Sequence, residues 1–158
     1  MGNKIPLTDA KKIWQAYRQA KITFRKYNQK ILSMRKVSLR LDIAPKAKQL
    51  PFVFRGRSIK DAKTRKFELM FKEELRKIFK EEPFDSPIAL TLTFGLLKPK
   101  SVKRSMPFVK PDLDNLIKSC DSGTGILWVD DALICSVKAK KIYAPEAFIE
   151  IIIEEMIE

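Results

Sequence analysis

The chain has 158 residues, 45% of them hydrophobic, and carries a formal net charge of +13. That length suits one domain with a real core, and a charge so basic favours a polyanionic partner, nucleic acid first among them. With no histidine and only two cysteines, it excludes Ser-His-Asp and Cys-His catalysis, His-based metal sites, a zinc cluster and a disulfide framework.

The charge is unevenly placed. Residues 1–40 hold eleven Lys or Arg against one acid, whereas residues 111–158 hold four against ten. A basic front and an acidic back suit a phosphate-gripping surface beside a cation-holding centre. No apolar run approaches the roughly 18 residues that cross a bilayer, and the charged N-terminus lacks the apolar core of a signal peptide. The expectation is a cytoplasmic protein of a bacterial host, with no membrane partner. Cys120 and Cys135 are expected as small buried residues in a reducing compartment.

Residues 8–34 predict a basic amphipathic helix. Ile13, Tyr17, Ala20, Phe24, Tyr27 and Ile31 recur at alternating spacings of four and three, and Lys11, Lys12, Arg18, Lys21, Arg25, Lys26 and Lys30 fill most of the rest. Such a helix packs its stripe on the domain, pairs with a second copy, or lays its bases on DNA. The domain boundary is placed after residue 36, leaving 1–36 as an N-terminal extension and 37–158 as the main domain.

Val37, Leu39, Leu41 and Ile43 alternate with polar residues, as in a half-buried strand. Residues 44–57 read as a loop in which Lys46, Lys48, Arg55 and Arg57 surround Phe52 and Phe54. That mixture suits nucleic-acid contact, or a loop closing over the core. Ser58 and Asp61 loosely match a capping box, and the helix behind them runs to about Lys80 with Phe67, Phe71, Leu75 and Ile78 on one face. Ile88, Leu90, Leu92, Phe94 and Leu96 alternate as a second strand. Residues 98–110 then carry Lys98, Lys100, Lys103, Arg104 and Lys110 with no acid, and prolines deny this loop a helix. Residues 113–120 predict a short helix, and residues 126–129, 133–142 and 147–153 predict strands. The order gives an α+β fold, a small mixed β-sheet with helices packed on it.

Five aspartates (Asp112, Asp114, Asp121, Asp130, Asp131) crowd residues 110–131, whose interior holds one base, Lys118. Helix caps and turns account for one or two of them. Crowded carboxylates repel unless a cation sits among them, and a divalent ion with oxygen ligands is the obvious candidate. In extended chain Asp112 and Asp114 point to one side, and a helix starting after Asp114 brings Lys118 to that side. Asp131 would arrive from the following β-hairpin. Three carboxylates and water are a Mg²⁺ ligand set, able to activate a water and clamp a phosphodiester, with Lys118 steadying the charge that develops. Asn115 reads as an orienting residue or a cap. For Asp130 a turn role and a ligand role stand level. Trp128 reads as core, and Lys138, Lys140 and Lys141 as a solvated strand face or a DNA contact.

The stretch Lys110-Pro-Asp-Leu-Asp-Asn-Leu-Ile-Lys118, followed by a Gly-containing turn and Trp128-Val-Asp-Asp131, resembles the RusA family of Holliday junction resolvases. The likeness covers roughly residues 37–155. It implies a small homodimeric, Mg²⁺-dependent endonuclease of phage or prophage type, with Mn²⁺ a possible substitute and no small-molecule cofactor. Its partner would be branched DNA, above all the four-way junction, in recombination and repair. By position, the family's essential acids fall on Asp112, Asp114 and Asp131 and its catalytic lysine on Lys118, with Asp121 and Asp130 matching acids common in the family. The DNA-binding candidates are Lys98, Lys100, Lys103, Arg104, Lys110, Arg55 and Arg57. Alternatives are a non-catalytic protein that binds junctions or DNA ends, and a nuclease acting on forks or RNA.

Overall fold

The computed structural model describes residues 7–32, 34–48, 52–54, 57–59 and 62–157, with side chains placed for 12–28, 34–48 and 62–157. The chain divides into two compact units after Arg35.

The first unit is helix α1, Leu7–Leu32. It contains no proline or glycine, and alanine, lysine, glutamine and arginine supply much of its length, all strong helix formers. Ile13, Trp14, Tyr17, Ile22, Phe24 and Tyr27 are all exposed.

The second unit is built on a four-stranded sheet in the order β1-β6-β4-β5, from β1 (Lys36–Leu41), β4 (Ile88–Leu97), β5 (Ile134–Ala144) and β6 (Phe148–Glu155). β6 runs antiparallel to both β1 and β4, whereas β4 and β5 are parallel, so the sheet is mixed. Register sets the core. Leu39 opposes Ile151, which opposes Leu92; Leu41 opposes Ile149, which opposes Phe94. Period-two side chains place these rows on one face, where Phe67, Phe71 and Leu75 of α2 (Ala62–Ile78) and Leu116 of α3 (Leu113–Ser119) join the same cluster. Burying each such side chain is worth about 1.5–3 kcal/mol, and Ile151→Ala would cost about 2–5 kcal/mol. Gly95 is demanded by packing: a Cβ there would stand 2.3 Å from the Phe148 ring.

Several expectations are corrected. Residues 44–57 are not all loop: β2 (Phe52–Phe54) and β3 (Arg57–Ile59) form an antiparallel pair, as aromatic and β-branched residues favour. Ser58 therefore lies in a strand, not at a cap, and Asp61 is outside the described residues. Ile78 is exposed while Phe79, just past the helix, is buried. Its N–H still bonds the Leu75 carbonyl at 2.8 Å, which turns the ring inward. Residues 126–129 form no strand. Gly125, at φ +77°, allows a tight turn in which the Ile126 and Leu127 N–H groups both return to the Gly123 carbonyl. Cys120 is buried as expected, but Cys135 is exposed near the start of β5.

The connection from β4 to β5 matters most for the site. Joining parallel strands needs a crossover, and residues 98–133 provide it, carrying the basic loop, α3 and every aspartate of the acidic span.

Candidate active site

Asp112 stands at the N-cap of α3 with extended backbone, φ −72° and ψ 140°. Its carbonyl accepts the Leu116 N–H at 3.1 Å, beginning the helix, yet its carboxylate makes no cap hydrogen bond and is exposed. Aspartate at this position usually uses its side chain on the N2 or N3 amide. Here the carboxylate does not serve the helix in that way. Asp114 lies in the first turn of α3, and Lys118, one turn on, reaches its Oδ2 at 3.3 Å. Both side chains are more than half exposed, so the pair adds little to stability.

Asp131 is held more firmly. The fully buried Trp128 shares its indole Nε1–H between Asp131 Oδ1 and Thr124 Oγ1, each at 3.1 Å, and the Thr124 hydroxyl donates to the same Asp131 oxygen. A buried indole needs an acceptor for its one N–H; this one finds it in a candidate ligand, so Trp128 is more than core. Asp131 opens a 3-10 turn, Asp131–Leu133, leading into β5, rather than arriving from a β-hairpin. Neighbouring Asp130 caps that turn, its Oδ1 accepting the Ala132 N–H at 2.8 Å. Asp121 pairs with Lys48 at 3.0 Å, and the Lys48 N–H donates to the Asn115 carbonyl at 2.9 Å. Through one residue the loop before β2 is thus tied both to α3 and to the 3-10 turn (Cys120–Gly123) that follows it.

A third tether holds the entrance to Asp112. By register Lys141 extends the row Leu41–Ile149–Phe94. Its Nζ donates to the Val109 carbonyl at 2.8 Å and the Pro111 carbonyl at 2.7 Å. Lys141 is therefore a clamp on the segment before α3. The Lys-Lys pair in the sequence could not show this, because only the sheet register says which of the two turns inward. Lys48 read only as one base of a loop suited to nucleic-acid contact, and Thr124 carried no local signal, since their partners lie far along the chain or depend on a turn.

Of the basic candidates, Lys98, Lys100, Lys103 and Lys110 are exposed and Arg104 is half-buried. The Arg104 guanidinium lies 4.4 Å from the centroid of the exposed Phe108 ring, and Lys98 Nζ 5.9 Å from that of Tyr143. Arg55 lies outside the described residues. Arg57 is in β3, its side chain outside them.

Asp112, Asp114 and Asp131 offer carboxylate oxygens, the hard donors that Mg²⁺ takes, and their chemistry fits such an ion. Among the described residues no three acids, histidines or cysteines already converge as an ion-holding group. Next door, burial beside Asp121 pushes the Cys120 thiol up to about 12, which keeps it protonated and out of the chemistry.

The family model described as Endodeoxyribonuclease RusA matches residues 42–154. The chain belongs to the RusA endodeoxyribonuclease family. The match takes in β4, β5, nearly all of β6, α2, the basic loop and all five aspartates, and begins just after β1. No curated protein matches the chain. RusA proteins are nucleases that act on branched DNA and resolve Holliday junctions, so the match assigns nuclease chemistry to the second unit. Among the described residues no helix is long and apolar enough to cross a membrane.

Proposed function

We propose that this member of the family is a Mg²⁺-dependent, structure-specific endonuclease that cuts four-way DNA junctions in recombination and repair. It would work as a homodimer, because resolving a junction takes paired cuts and each chain supplies one acidic centre. A phage or prophage setting in a bacterial cytoplasm suits that role. The observation that carries the reading is Asp112, a carboxylate at a helix N-cap that does no capping, inside the span matched by the nuclease family.

Asp112, Asp114 and Asp131 would hold the cation, with Asp130 a further candidate through its second oxygen. When bound, Mg²⁺ supplies charge neutralisation on the phosphate and acidifies a coordinated water. The reaction is hydrolysis: a water oxygen bonds to phosphorus, the P–O bond to one deoxyribose breaks, and the departing oxygen takes up a proton. Lys118 would place a positive charge where the phosphorus centre gains negative charge, or protonate the leaving oxygen. Trp128 and Thr124 would hold the Asp131 carboxylate in one orientation. Lys98, Lys100, Lys103, Arg104 and Lys110 would neutralise the DNA backbone.

The second reading is a protein that binds junctions without cutting them, favoured by the lack of three converging acids among the described residues. A synthetic four-way junction incubated with the purified chain separates the two. Paired nicks with Mg²⁺ and none with EDTA support the nuclease; binding without nicks in either supports the binder.

A further inference from the structure

A groove of about 280 Å³ opens where β4 and β5 end together. The two strands are parallel, so their carboxyl ends share one edge, where loops build binding sites in open sheets. Pro45, Leu97, Pro99, Val109, Pro111 and Tyr143 line it. Three prolines bring no N–H groups, and the lining is mostly hydrocarbon. Leu97 and Val109 remain exposed there. An open apolar slot of this size is near the lower end of small-ligand clefts, which begin at roughly 300 Å³. Its surroundings are the opposite in character. Residues 98–111 contain four lysines and one arginine with no acid, and Lys98 Nζ stands 5.9 Å from the Tyr143 ring centroid.

We infer that this groove receives one unstacked nucleobase of the branched DNA, next to the bond that is cut. An apolar floor with an aromatic ring, set inside a cationic rim, complements a flat base attached to a phosphate chain. A small apolar metabolite would leave the cationic rim unused, and a phosphate alone would leave the floor unused. The wall is also held firm, since Lys141 bonds the Val109 and Pro111 carbonyls. Pro111 precedes Asp112 directly, so a base seated here would bring its own phosphate towards the acidic centre. Branch points are where duplex stacking is interrupted, so a base is most cheaply released there. The groove would then choose where along a junction the cut falls. This inference rests on the nuclease reading above.

The test is a binding cycle in EDTA, where the full chain cannot cut. Junctions carrying an abasic site at each position through the branch point are measured against wild type, Tyr143→Ala, Tyr143→Phe and Leu97→Gln. At one position, base removal weakens wild-type binding about tenfold, as loss of one stacked base does. Tyr143→Ala weakens the intact junction by a similar factor and makes base removal at that position harmless, while Tyr143→Phe behaves as wild type. Leu97→Gln, at an exposed position that tolerates a polar side chain, reproduces the non-additivity without relying on the tyrosine. The salt dependence stays unchanged, because every phosphate keeps its cationic partner. Independent, additive losses at every position, or a shallower salt slope for Tyr143→Ala, overturn the groove. If the wild-type chain cuts junctions with Mg²⁺ while the losses are additive, only the groove fails; if it neither binds nor cuts them, the nuclease reading fails with it.

Discussion

Lys141 Nζ bonds two carbonyl oxygens at once, that of Val109 at 2.8 Å and that of Pro111 at 2.7 Å. A strand residue thereby fixes the segment that delivers Asp112. Lys141→Met keeps the stem and removes the donors, leaving two carbonyls without a charged partner, at a cost of about 1–3 kcal/mol. Cleavage should fall about 10–100-fold, as for lost supports around a metal site, with the salt dependence of DNA binding unchanged. A shallower salt slope instead would mean that Lys141 contacts a phosphate.

Asp131 is oriented by Trp128 and Thr124. Thr124→Val removes the hydroxyl at nearly constant volume, and Trp128→Phe removes the indole N–H while keeping a ring. Each should raise the Mg²⁺ concentration needed for half-maximal single-turnover cleavage by about 10–100-fold, with most of the rate recovered at saturating Mg²⁺. An unchanged Mg²⁺ requirement in a folded variant would remove Asp131 from the ligand set.

The basic loop should act on all DNA shapes alike. Replacing Lys103 and Arg104 by Ala should weaken junction, fork and duplex binding together and reduce the log–log salt slope by about one for each phosphate no longer neutralised. A slope equal to that of wild type would place these side chains away from the DNA.

The two thiols should differ sharply. Cys135 is exposed, whereas Cys120 is buried with its thiol pushed up to about 12. Folded protein at neutral pH should give one fast-reacting thiol, and a second only on unfolding. The folded value lies above the unfolded value of 9.0, so the native state holds its proton longer. The stability this represents is complete below about pH 9 and is lost as pH rises towards 12. Urea midpoints should therefore fall less steeply over this range for Cys120→Ala than for wild type. Two fast thiols in the native state would contradict the burial.

The alternating runs at residues 37–43 and 88–96 were legible as strands because one face of each is committed to the core, and Phe67, Phe71 and Leu75 marked α2 for the same reason. The Asp112–Lys118 segment was legible as a site because its charge conflicts with its neighbours. What stayed hidden depends on long-range register. Nothing local says that β4 and β5 are parallel, and that relation turns the connection between them into a crossover and Lys141 into a clamp. Trp128 read as a strand residue because Ile126, Leu127 and Val129 surround it; the left-handed backbone of Gly125 bends that segment into a turn and aims the indole at Asp131.

The central claim is that the aspartates serve the reaction rather than the fold, and Asp112→Asn tests it most directly. Asparagine caps a helix as well as aspartate does, so the substitution should leave the melting temperature and junction affinity near those of wild type. It replaces one anionic oxygen with an amide, and single-turnover cleavage of a four-way junction at fixed Mg²⁺ should fall at least about 10²-fold, the size of one lost electrostatic group. An Asp112→Asn protein that cuts at the wild-type rate would show that Asp112 does no more than start α3, and would contradict the account.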